Sequence, residues 1–99
     1  MYTDRNYKSK AELKRAVASW LAAVDARCAA QSAPVTPELR QQLEGETPGG
    51  VTVYQPNADI TGFDAPRSGY VTLEGPHYPQ PHRWYAEATL RNGLVVVVK

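Results

Sequence analysis

Apolar and polar positions change spacing once along this chain, from helical in the first half to strand-like after about residue 50. Ser9-Lys10-Ala11-Glu12 has the pattern of a capping box, with Ser9 accepting from the Glu12 amide and Glu12 reaching back to the Ser9 amide. A helix is expected to begin there and to run to Ala30. At 100° per residue, Leu13, Ala16, Val17, Trp20, Leu21, Val24 and Cys28 fall in one apolar stripe about 140° wide. Arg27 also lies inside that stripe and is expected to snorkel at its edge. Lys14, Arg15, Ala18, Ala22 and Asp25 fall on the other side. The pattern predicts one long helix with one buried face.

Gln31–Thr36 reads as a connector, because Pro34 limits continuation of the first helix. Thr36-Pro37 starts a second helix, with Thr36 as N-cap and Pro37 in the first helical position. Glu38–Glu44 supplies about two turns with Leu39 and Leu43 four apart, Gly45 is the expected stop, and Gly45–Gly50 is a loop.

Beyond that loop the alternation has a period of two. Val51–Gln55 and Tyr70–Glu74 read as strands, joined by a long loop over Pro56–Gly69 with a short strand expected near Ile60–Phe63. Arg83–Arg91 is a further strand, with Trp84, Ala86, Ala88 and Leu90 on one face and Arg83, Tyr85, Glu87, Thr89 and Arg91 on the other. Asn92-Gly93 suits a two-residue type I′ turn, since both residues tolerate positive φ. That turn pairs Arg91 with Leu94, Leu90 with Val95 and Ala88 with Val97, which places Val95 and Val97 over the core. Leu94, Val96 and Val98 then fall on a second face more apolar than solvent requires, covered either by the short helix or by a partner.

The expected fold is therefore α+β: one long N-terminal helix and a short second helix on a three- to four-stranded antiparallel sheet that ends in a β-hairpin. The 99 residues make a single domain, with residues 1–8 as a flexible tail, 9–45 as the helical part and 51–99 as the β part. Apolar residues at 42% and charged residues at 21% are ordinary for a globular chain and argue against general disorder. The longest apolar run, Leu94–Val98, is far short of a membrane span, and the first six residues lack the marks of a secretion signal. The single Cys28 cannot form an internal disulfide and is expected in the core. A cytoplasmic setting follows from these readings.

Charge adds a weak asymmetry. Residues 1–30 carry six basic and three acidic side chains, and residues 31–99 carry five and seven. Lys8, Lys10, Lys14 and Arg15 would be the contact residues if the partner were a nucleic acid, although such domains usually show a stronger basic stripe.

Little of the sequence points to catalysis. No Gly-x-Ser-x-Gly turn, no acid beside a histidine in a recognisable arrangement and no phosphate-binding glycine loop is present. His77 and His82 are five apart on a proline-interrupted segment and lack the further ligands that zinc needs. No enzyme activity, metal or cofactor is expected. The segment Gly75–Tyr85 instead holds both histidines, three of the eight prolines, and Tyr78, Trp84 and Tyr85. Its prolines stiffen it, and aromatics and arginine are enriched at protein interfaces. With Trp84 in the core, Tyr78, His82, Arg83 and Tyr85 become the expected binding residues, and the outward side chains of Ala18–Glu44 a second surface. The competing structural reading is that the tyrosines cap the sheet edge and the histidines bond loop backbone.

Lys10–Lys14, Val51–Pro56 and Val71–Ala86 resemble a set of small accessory proteins encoded by tailed bacteriophages and prophages, most distinctively in the block Glu74-Gly75-Pro76-His77-Tyr78-Pro79-Gln80-Pro81-His82-Arg83-Trp84-Tyr85-Ala86. The resemblance covers roughly residues 8–17 and 51–99. In that group the first helix passes quickly into the Val-x-Val-Tyr strand, whereas this chain carries the extra stretch 18–50. The resemblance implies a binding protein that antagonises host defence, inhibiting a host protein complex such as a CRISPR-type immune system. It brings no catalytic residues.

Overall fold

The computed structural model describes residues 1–54, 67–76 and 83–99. In chain order these form β1 (Tyr2–Thr3), α1 (Lys10–Ala29), α2 (Pro37–Glu46), β2 (Val53–Tyr54), β3 (Gly69–Gly75), β4 (Trp84–Arg91) and β5 (Leu94–Val98). The α+β class is as the pattern predicts: two helices with an antiparallel three-stranded sheet β3-β4-β5 that ends in a hairpin, and in addition a two-stranded sheet β1-β2. The short strand expected near Ile60–Phe63 and Gln55 itself lie outside the described residues.

Each helix starts where its capping residues place it. The Ser9 hydroxyl accepts from the Glu12 amide at 3.1 Å, and the Thr36 hydroxyl accepts from the Leu39 amide at 3.1 Å. The return arm of the first capping box differs from expectation, because Glu12 accepts from the Lys8 amide rather than that of Ser9. The second helix does not stop at Gly45. It runs to Glu46 because Thr47 closes it, with both the amide and the hydroxyl of Thr47 donating to the Leu43 carbonyl.

α1 buries Leu13, Val17, Trp20 and Val24, four members of its predicted stripe. Leu13 and Val17 join Tyr7, Val51, Leu73, Trp84, Ala86, Ala88, Leu90 and Val95 in the main core, so the inner face of the three-stranded sheet packs on α1. Cys28 departs from its expected core position. It is half-buried, with the Arg40 guanidinium 3.7 Å from its sulfur, because α2 leaves the last turn of α1 partly open.

Residues 1–8 are not a loose tail. Tyr2 and Thr3 pair with Tyr54 and Val53, Thr3 and Tyr7 are buried, and the Trp84 indole donates to the Tyr7 carbonyl at 2.9 Å. The strand expected over Val51–Gln55 is correspondingly split in its duties. Val53–Tyr54 belongs to the small sheet, while Thr52 bridges Leu94 and the Val51 carbonyl accepts from the Val95 amide. The Asp4 amide donates to the Thr52 carbonyl and the Glu74 amide to the Met1 carbonyl, so backbone bonds tie the N-terminal segment to β3 as well as to the residues before β2.

The hairpin turn has Asn92 at φ 53° and Gly93 at φ 79°, as a type I′ turn requires. Its register begins as expected, Arg91 with Leu94 and Leu90 with Val95, and then slips. Thr89 faces Val97 and Ala88 faces Val98, which leaves Val96 as one extra residue on β5. Val97, expected over the core, therefore points outward, and Val98 packs against the core in its place.

Candidate binding face

The outer face of the sheet follows from alternation and register. β3 contributes Tyr70, Thr72 and Glu74, β4 contributes Thr89, Glu87 and Tyr85 opposite them, and β5 contributes Val97 opposite Thr89. Lys99 continues that row, its amide donating to the Glu87 carbonyl at 2.8 Å. The short helix does not cover this face. α2 packs on α1, through Arg40 with Asp25 at 2.9 Å and through Leu43, and reaches the sheet at the hairpin end through Glu44 and Arg91. Glu44 is only 3% exposed and binds Arg91 with both oxygens, Oε1 to Nε at 3.0 Å and Oε2 to Nη2. This bidentate pair pins α2 to β4 and leaves the rest of the outer face open.

Three large apolar side chains stand on that open face: Tyr70 at 86% exposure, Tyr85 at 55% and Val97 at 44%. Nearby, Lys10, Thr72, Tyr85, Glu87 and Lys99 border a shallow recess of about 460 Å³. Among the described residues the face offers aromatic surface from Tyr70 and Tyr85 and charge from Glu87, Lys10 and Lys99.

Of the residues singled out by sequence, Arg83 and Tyr85 are exposed at the start of β4, and the Arg83 amide extends the ladder to the Gly75 carbonyl at 2.8 Å. Tyr78 and His82, like His77, lie outside the described residues. Of the basic group Lys8, Lys10, Lys14 and Arg15, Lys8, Lys14 and Arg15 are exposed, Lys14 and Arg15 stand about 100° apart on α1, and Lys10, one turn before Lys14, borders the recess. Tyr70, one of the chain's interface-type aromatics, was not among the four expected binding residues, and Val97 was placed in the core; nothing in four consecutive valines marks the bulge that turns Val97 outward.

Among the described residues, no three His, Cys, Asp or Glu side chains converge as a metal site would need, and no helix is long and apolar enough to cross a membrane. Tyr7 is a titratable group buried in the core. Burial raises its phenol above the ordinary value, the Arg5 guanidinium opposes that shift, and the hydroxyl makes no hydrogen bond among the described residues. No protein-family model matches the chain, and neither a curated protein nor a solved structure is significantly similar to it.

Proposed function

We propose that this chain is a non-enzymatic protein-binding module that docks a partner on the outer face of its three-stranded sheet. The observation that carries this reading is the exposure of Tyr70, Tyr85 and Val97 together on one face of a rigid sheet. Exposed aromatics on a preorganised scaffold bind with little ordering entropy, and truncating such an anchor typically costs about 2 kcal/mol or more. The resemblance to phage accessory proteins supports a host protein complex as the partner, with a CRISPR-type immune complex as the first to try, and inhibition as the outcome.

The test is capture from a bacterial host lysate by the parent chain and by Tyr70→Ala and Tyr85→Ala variants, with the captured proteins named by mass spectrometry. Both substitutions should weaken capture at least about tenfold while circular dichroism stays unchanged. Equal capture by both variants would move the contact surface elsewhere. The alternative partner, nucleic acid bound through Lys8, Lys10, Lys14 and Arg15, predicts tight binding to generic DNA or RNA that falls steeply with salt.

A further inference from the structure

We propose that Asn92 is a latent deamidation site that the folded hairpin keeps inactive, with Arg67 as the latch that sets how often it becomes reactive. The chain has three asparagines, Asn6, Asn57 and Asn92, followed by Tyr7, Ala58 and Gly93. Of these followers only Gly93 lacks the Cβ that hinders a backbone nitrogen from reaching the preceding side chain. In an unlocked Asn-Gly pair the Gly93 nitrogen gives up its proton and attacks the Asn92 carboxamide carbon. The new C–N bond closes a five-membered succinimide, and the side-chain nitrogen leaves as ammonia. Water then adds at one of the two ring carbonyls and breaks its bond to the ring nitrogen. The product at position 92 is aspartate or isoaspartate, the latter with one more methylene in the main chain.

The native turn blocks the first of these steps in two ways. Asn92 lies in the left-handed region at φ 53°, which a type I′ turn completes with ψ about +30°. That conformation sets the Gly93 nitrogen on the side of the Cα–C bond away from Cβ, out of reach of the side-chain carbon. The Gly93 N–H is also engaged, donating to the Arg67 carbonyl at 2.7 Å. Arg67 grips the turn a second time through its side chain. Nη2 donates to the Asn92 carbonyl at 3.3 Å, and the guanidinium lies over the turn, with Nη1 3.7 Å from where a Cβ on Gly93 would stand. Asn92 and Arg67 are both exposed, so water already reaches the site and the barrier is conformational. Reaction needs the two Arg67 bonds to open, a local event that is easier than global unfolding. Isoaspartate cannot return to the native turn. A longer main chain in a two-residue turn breaks the pairing of Arg91 with Leu94 and of Leu90 with the fully buried Val95.

The experiment incubates the full chain in mildly alkaline buffer, either native or unfolded in guanidinium chloride. Peptide mapping by mass spectrometry then separates the asparagine, aspartate and isoaspartate forms at position 92. The native chain should deamidate at least about tenfold more slowly than the unfolded one. Arg67→Ala removes the guanidinium but keeps the carbonyl acceptor, and should raise the native rate roughly two- to tenfold. Exchange of the Gly93 amide proton should rise by the same factor, while exchange of the Val95 amide, bonded to the Val51 carbonyl, stays as in the parent. Chains carrying isoaspartate should unfold at a lower denaturant concentration than fresh ones. Equal rates in native and unfolded chains overturn the lock. A native rate unchanged by Arg67→Ala, or one that rises only together with Val95 exchange, overturns the latch. Isoaspartate chains as stable as the parent overturn the loss of register.

Discussion

The two faces of the three-stranded sheet are built from the same strands and differ in almost every physical respect. On the inner face, Leu73, Trp84, Ala86, Ala88, Leu90 and Val95 are buried against α1 and the N-terminal segment. On the outer face, Tyr70, Tyr85 and Val97 remain in water although their side chains carry as much apolar surface. Burial of a large side chain contributes about 1.5–3 kcal/mol, so the inner face holds the fold while the exposed side chains of the outer face add little to it. Side-chain hydrophobicity alone would not separate the two sets. Their place relative to α1 does.

Substitutions on the inner face should therefore be read in stability. Trp84→Ala removes a buried indole and its bond to the Tyr7 carbonyl, and should cost about 3–5 kcal/mol in urea unfolding. A cost below about 1 kcal/mol would mean that Trp84 is not the anchor between β4 and the N-terminal segment. Next comes the hairpin end. Arg91→Ala leaves Glu44 buried without its partner and should cost up to about 3 kcal/mol, the low end for broken buried pairs because Arg91 itself is half-exposed. Glu44→Ala should cost less, since the released guanidinium can return to water.

Gly75→Ala is a finer probe of packing. A Cβ there would sit 2.6 Å from Trp84 Cζ2, so the indole must shift, and the expected loss is about 1–3 kcal/mol. Full stability in this variant would show that the indole has room that the structure does not give it. On the outer face the sign of the comparison reverses. Tyr70→Ala should change unfolding free energy by no more than about 0.5 kcal/mol while reducing partner capture, and a large loss of stability would turn this face into core.

The smallest expected effect is one of pH. Burial raises the Tyr7 phenol in the folded state, so the folded protein holds its proton after the unfolded chain has begun to lose it. The resulting stability is fully present below the ordinary tyrosine value near 10 and is lost as pH rises through the higher folded value. Tyr7→Phe should flatten this alkaline decline without reducing stability at neutral pH, because the buried hydroxyl makes no hydrogen bond among the described residues. Parallel alkaline curves for parent and variant would assign the decline to another group, with Tyr54, also raised by burial, next in order.

Local chemistry was legible wherever a few neighbouring residues suffice. Ser9 and Thr36 cap their helices, and Asn92-Gly93 turns the hairpin. The α1 stripe buries Leu13, Val17, Trp20 and Val24, and the alternation of β4 buries Trp84, Ala86, Ala88 and Leu90. In each case the spacing of side chains on one element fixes which of them can share a face. The exposed face was legible only in part. Arg83 and Tyr85 were placed outward correctly, whereas Val97 was assigned to the core.

What remained was decided between elements. Four consecutive valines satisfy the sheet in either register, so only the packed structure selects the bulge at Val96 that turns Val97 to solvent. Residues 1–8 carry no strong local signal, yet β1 forms because Val53–Tyr54 and Glu74 present backbone groups to it and the Trp84 indole needs the Tyr7 carbonyl. Gly45 stays helical because Thr47 closes the helix two residues later. Spacing along single elements is enough to specify the two helices, the hairpin and the inner face. Which apolar residues stay exposed depends instead on hydrogen bonds and packing partners far along the chain, which no local periodicity encodes.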